Sequence, residues 1–334
     1  MGLHHPKRAA LRLLSKLLLS VSLFGPSIAS HAAEPLKIGY SDWPGWVAWQ
    51  VAIEKDWFKE AGVDVKFEWF DYSASMDAFT AGKIDAVLMT NGDTLVTGAG
   101  GGKGVMVLIT DYSNGNDMIV AKPGIKTLAD LKGKKVAVEV GLVEHLLLRS
   151  GMKRLGMKAG DIEIVNAKTN EMPQVFATKD IAAVGAWQPI VGEALRATPG
   201  SKAIYTSAEE PGLIYDVLAV NPASLNGRRA DWQKVVKLWD KVVAYVEDPK
   251  TQPDAVKIMA ARSGVSAAEY LPMLKGTRLL TLDEGRKAFQ KSAEFTSLYG
   301  STEVANTFNW YNKVYAFSQK IDSYIDASLT NAAK

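Results

Sequence analysis

From residue 36 onward the chain alternates short apolar runs with longer stretches whose apolar residues recur every three or four positions. The run 36–40 predicts a strand, and 47–61, closed by Gly62, a helix. Val63, Val65, Phe67 and Trp69 alternate with polar residues, the two-residue period of a half-buried strand spanning 63–70. A short helix over 74–80 closes at Gly82, a third strand spans 86–89, helical spacing returns over 93–98, and 105–110 reads as a fourth strand. Strands alternating with helices argue for a parallel sheet with right-handed crossovers.

A second unit of the same kind begins near Met118. Strands are expected at 118–121, 136–139, 162–165, 182–186 and 202–205, with helices over 143–155, 175–178 and 189–197 and a short turn at 128–131. The run 215–220 is a strand returning to the first unit. After Arg229 the spacing is helical throughout, over 232–246, 254–262, 267–274, 283–296 and 310–325. The expected fold is α/β: lobe 1 from 33–115 plus 216–334, lobe 2 from 116–215, and a helical C-terminal extension packed on lobe 1. Two lobes joined by two crossing strands make a hinged clamshell that buries its ligand in the cleft.

The first 32 residues stand apart from this pattern. Lys7, Arg8, Arg12 and Lys16 precede an apolar core over 17–24, and small residues flank His31, as in a cleavable signal peptide cut after Ala32 or Ala33. The whole chain carries 39 Lys and Arg against 36 Asp and Glu; without the four leader bases its net charge moves from +3 to −1. The basic balance therefore belongs to the leader and gives no argument for nucleic acid. No later stretch approaches 18 apolar residues, so no membrane insertion is expected. The absence of cysteine excludes disulfides and a lipid anchor on this leader. A soluble, exported, periplasmic monomer is the expectation.

Candidate chemistry gathers first in Tyr40-Ser41-Asp42-Trp43-Pro44-Gly45-Trp46, a strand-to-helix loop of the kind that meets ligands in open α/β sheets. Ring faces of Trp43 and Trp46 beside Asp42 can receive a small cation, although the same pair can simply pack the start of the helix. The glycine run from Gly98 to Gly104 lacks Gly-Lys-Ser/Thr and precedes a strand, so it reads as a flexible turn and not a phosphate loop. His145 is the one histidine past the leader; with no cysteine and no HExxH it offers no metal site, and a structural role is expected. No cofactor is expected.

Several segments together resemble the periplasmic substrate-binding proteins of nitrate/sulfonate/taurine-type ABC importers. They are Ile38-Gly39-Tyr40; Val51-Ala52-Ile53-Glu54-Lys55 through Trp57-Phe58-Lys59-Glu60-Ala61-Gly62; Ala81-Gly82-Lys83-Ile84-Asp85-Ala86; the stretch from Gly124 to Lys134; Glu144-His145-Leu146-Leu147; and Trp187-Gln188-Pro189. The resemblance implies a two-lobe type II binding-protein fold, no catalysis, and delivery of a small solute to a membrane permease. The chain is also similar to the subgroup associated with urea-carboxylase-type gene clusters, which implies guanidine or urea as solute.

Departures from that family's pattern carry the ligand argument. Where oxyanion binders place hydroxyls and glycines in the cleft loops, this chain has Asp71-Tyr72, Asn91-Gly92-Asp93 and Leu142-Val143, with Glu139 and Glu144 around the last. Asp111 and Asp117 lie at the first crossover and Asp216 at the second, where each could also be a solvated turn or hinge acid. Carboxylates facing a sulfonate would repel it. Guanidinium, a planar donor fork with a cationic face, matches carboxylates at its edge and tryptophans on its face, and is favoured over urea on charge. The candidate ligand residues are Asp42, Trp43, Trp46, Asp71, Asn91, Asp93, Glu139, Glu144, Trp187 and Asp216. Trp49, Trp57, Trp69, Trp232, Trp239 and Trp310 are expected in the core. The alternatives are a sulfonate such as taurine for the same kind of importer and, remotely, a periplasmic enzyme using the Asp/Glu pairs; no nucleophile–base pair supports the latter.

Overall fold

The computed structural model describes residues 34–333; the signal peptide expected at 1–32 and its cleavage site lie outside the described residues. Four strands open the chain: β1 (Leu36–Tyr40), β2 (Val65–Trp69), β3 (Ala86–Thr90) and β4 (Val105–Ser113). Five follow, β5 (Asp117–Ala121), β6 (Lys135–Val138), β7 (Glu163–Asn166), β8 (Ile181–Trp187) and β9 (Lys202–Thr206), and then β10 (Tyr215–Val220) and β11 (Thr277–Leu279). They form two sheets, in the orders β11-β4-β10-β3-β1-β2 and β7-β6-β8-β5-β9, one to each lobe of the α/β fold. Among the described residues no helix is long and apolar enough to cross a membrane.

The sheets are mixed, not parallel as the alternation predicted. β1 runs parallel to β2 and β3, but β10 inserts antiparallel between β3 and β4. In the second sheet β6 is parallel to β7 and β8, while β5 lies antiparallel between β8 and β9. Two of the reversed strands, β5 and β10, are those the chain enters after crossing between sheets, and the short edge strand β11 also pairs antiparallel, with β4. Short helical crossovers give the parallel pairs within each lobe. Asp117 therefore opens β5 and Asp216 stands second in β10, both at the seam between lobes. Side chains tie the crossing segments: the hydroxyls of Ser113 and Ser207 lie 2.6 Å apart, and Asn116 Nδ2 donates to Met273 O and to Thr277 Oγ1 (2.8 Å).

Helix lengths differ from expectation where backbone geometry intervenes. The helix predicted over 47–61 is three short segments, Pro44–Val47, Trp49–Glu54 and Trp57–Glu60, and Asp56 at the last break has a left-handed φ of 54°. The helix predicted over 310–325 ends at Tyr311, because Lys313 turns the chain at φ 59° into loop and a short 3-10 turn; the helix itself is Leu298–Tyr311. Trp310 at its end is 53% exposed and Trp69 on the outermost strand 38%, so neither belongs to the core. Trp49, Trp57, Trp232 and Trp239 are buried, and Trp49 and Trp239 meet at 4.8 Å between ring centroids. Truncating either of that pair would cost about 3–5 kcal/mol. The extension docks on lobe 1 through Asn91, whose Nδ2 donates to Ser301 Oγ (2.9 Å) and Thr302 Oγ1 (3.0 Å).

Candidate functional site

Strand ends and helix starts of both lobes meet at the seam. After β1, Trp43 caps the helix Pro44–Val47, with Pro44 at its first turn and the Trp43 carbonyl accepting from the Trp46 and Val47 amides at 3.0 Å. Both indoles are thereby turned inward. Trp46 lies 6.3 Å from Trp43 and 5.2 Å from Tyr72, and Tyr72 meets Trp187 of lobe 2 edge-on at 5.2 Å. These four rings wall a small cavity, with Asp117 and Asp216 also in its lining. Its volume is about 10 Å³, the scale of a single water. Tyr72 and Trp187 also form the inner wall of an outer chamber of about 50 Å³, rimmed by Asp42, Asp71, Glu139 and Asn170.

The carboxyl groups around the cavity divide by whether the protein supplies them with donors. Asp111 Oδ1 accepts from Trp43 Nε1 and Oδ2 from Thr110 Oγ1, both at 2.8 Å. Asp93 accepts from Tyr72 OH (2.6 Å), and Asp42 from Trp187 Nε1 across the lobes (3.1 Å). Asp117 Oδ2, Asp216 Oδ2 and both Glu144 oxygens are buried with no donor, as is the Trp46 indole N–H with no acceptor. Asp117 neighbours Glu144, and Asp216 neighbours Asp111, so only a proton shared within each pair can bridge them.

None of the ion pairs among the described residues includes any of these six acids. Burial without a counter-charge therefore drives their pKa values upward. Asp42, Asp111 and Asp117 rise to about 6 and Asp93 to about 7, in each case chiefly through desolvation. Glu144 and Asp216 are pushed well above the usual carboxylate range, by burial first and then by neighbouring acids. Among the described residues no group of three or more His, Cys, Asp or Glu could hold a metal ion.

Of the residues singled out in the sequence, Trp43, Trp46, Trp187 and Asp216 line the cavity, and Glu144 and Asp93 stand directly behind it. Asp93 sits in the first turn of the helix Asn91–Ala99, whose cap is Thr90, so its carboxyl is both near a helix start and bound to Tyr72. Four others lie elsewhere. Asn91 spends its amide on Ser301 and Thr302 and its carbonyl on the Tyr215 amide, so it anchors the extension. Glu139 accepts from the Thr169 amide and hydroxyl (3.0 and 2.9 Å). Asp71 is exposed and accepts from Asn170 of the other lobe (3.1 Å). Asp42 belongs to the outer chamber. Sequence reasoning left out Tyr72 and treated Asp111 and Asp117 as possible turn acids; only their position at the crossover hinted at the site.

His145, next to Glu144, faces the opposite way. Its ring meets Phe308 of the extension edge-on at 5.1 Å, while the Gly141 amide and Arg149 Nε approach its two nitrogens at 3.2 and 3.1 Å. A neutral ring has one acceptor nitrogen, so it accepts from only one of these two donors, and burial, then Arg149, lowers its pKa to about 4. It packs the helix Val143–Arg154 against the extension.

The family model described as NMT1/THI5 like matches residues 43–266, a span that includes most of this seam. The chain belongs to the NMT1/THI5-like family. A binding protein of Brucella abortus is 31% identical over 187 residues, which is 55% of this chain and 58% of that one, so the match spans little more than half of that relative. The taurine-binding periplasmic protein of Escherichia coli is 24% identical over 306 residues, covering 84% of this chain and 88% of its own. Among solved structures, the alkanesulfonate-binding protein of Xanthomonas axonopodis bound to MOPS aligns with a TM-score of 0.72 at 17% identity, over 88% of this chain and 99% of that one. That likeness shows the fold alone: the two-lobed α/β fold of periplasmic binding proteins.

Proposed function

We propose that this family member is the extracytoplasmic solute-binding protein of an ABC importer, and that it captures a small, planar, nitrogen-rich cation, guanidinium, between its lobes. Periplasmic location after leader cleavage and delivery to a membrane permease belong to the same proposal, in keeping with the named relatives. One observation carries the ligand. Asp117 and Asp216 in the lining of the cavity walled by Trp43, Trp46, Tyr72 and Trp187, and Glu144 directly behind it, bury carboxylate oxygens that no protein donor serves; the lobes part to widen this water-sized space for the ligand. Burying unpaired carboxylates costs several kcal/mol each, a cost that a cationic donor fork offsets through charge-assisted hydrogen bonds while its face stacks on the rings. A sulfonate in this place would bring another negative charge against the same oxygens.

Urea is the second ligand to weigh, on a specific observation: the Trp46 indole N–H lacks an acceptor. Guanidinium offers no acceptor, whereas the urea carbonyl does. Calorimetric titration of the purified protein with guanidinium chloride, urea and taurine decides between them. Guanidinium is expected to bind at least about tenfold tighter than urea, a difference of about 1.4 kcal/mol. Heat from taurine with none from guanidinium would refute the charge argument. The protein is expected to release every ligand unchanged; turnover of any of them would identify an enzyme.

A further inference from the structure

We propose that the ligand enters this site by displacing a proton: a monocation bound between Asp117 and Glu144 replaces the proton these two carboxyls share, and about one proton leaves for solvent per molecule bound. This rests on the cationic-ligand function above and adds to it a dependence of capture on pH.

The geometry of the pair carries the inference. Asp117 opens β5 and Glu144 lies in the first turn of the helix Val143–Arg154, so two elements of one lobe set their carboxyls side by side. Their exposures are 2% and 1%, and three of their four oxygens have no donor. The groups facing them from every packed element are acidic or neutral. β10 contributes Asp216, the helix Asn91–Ala99 contributes Asp93, β4 contributes Asp111 and Ser113, and the helix Tyr72–Thr80 contributes Tyr72, already bound to Asp93. On Glu144's own helix, His145 turns to Phe308 and Arg149 lies behind it. No cation among the described residues pairs with either carboxylate.

Two carboxylates in contact in a dry site cannot both ionise, so without ligand the pair exists as one carboxyl hydrogen-bonded to one carboxylate. A guanidinium presents N–H donors to both oxygens and a positive charge to both groups, which removes the reason for the shared proton. The carboxyl then loses its proton to the buffer, the pair becomes doubly ionised, and the bound cation leaves the pair at one net negative charge, as before. A neutral ligand such as urea brings no charge to exchange and leaves the proton in place.

The test is calorimetric titration with guanidinium chloride at about pH 7 in phosphate and in Tris, whose ionisation enthalpies differ widely, together with affinities at about pH 6, 7 and 8. The expected result is an apparent enthalpy that shifts between buffers by the ionisation enthalpy of about one proton, and an association constant that rises about tenfold per pH unit while the shared proton persists. Glu144→Gln should bind more weakly, with a buffer-independent enthalpy and a flat pH profile. Urea, if it gives heat at all, should give the same heat in both buffers. Guanidinium binding with equal heat in the two buffers overturns the proton exchange and leaves the cationic-ligand function intact. Absence of any guanidinium binding removes both.

Discussion

Replacing Asp117 by Asn tests whether the cavity is built at the expense of stability. Asp117 is buried beside Glu144 with one oxygen unserved, and its pKa rises from its ordinary 3.8 to about 6 through desolvation. A raised carboxyl pKa means that the folded state holds more protons than the unfolded state between those two values. Stability therefore falls as pH climbs through that window and stays low above it. A shift of this size corresponds to about 3 kcal/mol once the group is ionised in both states. Asn removes the charge at constant shape, and its amide can donate to Glu144. The ligand-free protein carrying Asp117→Asn is thus expected to gain up to about 3 kcal/mol at pH near 8, or about 5 °C or more in Tm. Little change is expected at pH near 4. The same variant should lose at least about 30-fold in guanidinium affinity, because one partner of a desolvated charge contact is gone. Unfolding is best driven by heat, since urea and guanidinium are themselves candidate ligands, and differential scanning calorimetry at several pH values reads the effect. A lower Tm for the variant at pH near 8, or wild-type stability that does not fall between about pH 4 and 7, would refute the reasoning.

Two further substitutions probe the walls of the site. Trp187→Phe keeps an aromatic wall but removes the Nε1–H donated to Asp42 across the lobes. Ligand dissociation in stopped-flow should accelerate about fivefold with association little changed, in line with about 1 kcal/mol for a lost hydrogen bond. Equal dissociation rates would mean that this bond does not hold the lobes together. Gly45→Ala would set a Cβ on the Asp111 carboxylate, which Trp43 and Thr110 hold in place. A loss of about 1–3 kcal/mol is expected from overpacking, read as a lower Tm, and a Tm unchanged within error would show that Asp111 is free to move.

The two-lobed fold was legible because local patterns encode it: alternating residues in β2 and periodic apolar positions in the helix over 229–247 survive any tertiary arrangement. What failed depended on backbone breaks and on distant partners. Asp56 in lobe 1 and Lys313 in the extension turn the chain with positive φ at residues that carry no glycine signal. Asn91 looked like a cleft residue because its loop follows a strand, but the extension, 210 residues further on, takes its amide. Asp111 and Asp117 looked like turn acids because sequence shows where an acid lies on the chain and not which strand ends converge. Trp43 was expected to stack on a ligand; its ring lines the cavity while its N–H serves Asp111, a contact spanning 68 residues that no local spacing reveals.

The exposed contact between Asp71 and Asn170 at the mouth of the outer chamber has a practical consequence. It joins the lobes at a point that water reaches, and the chain contains no cysteine. Asn170→Cys would therefore be a unique thiol, able to carry one environment-sensitive dye at the line where the jaws meet. Such a labelled protein would convert jaw movement into an optical signal, a reagentless sensor for whatever solute the cleft encloses.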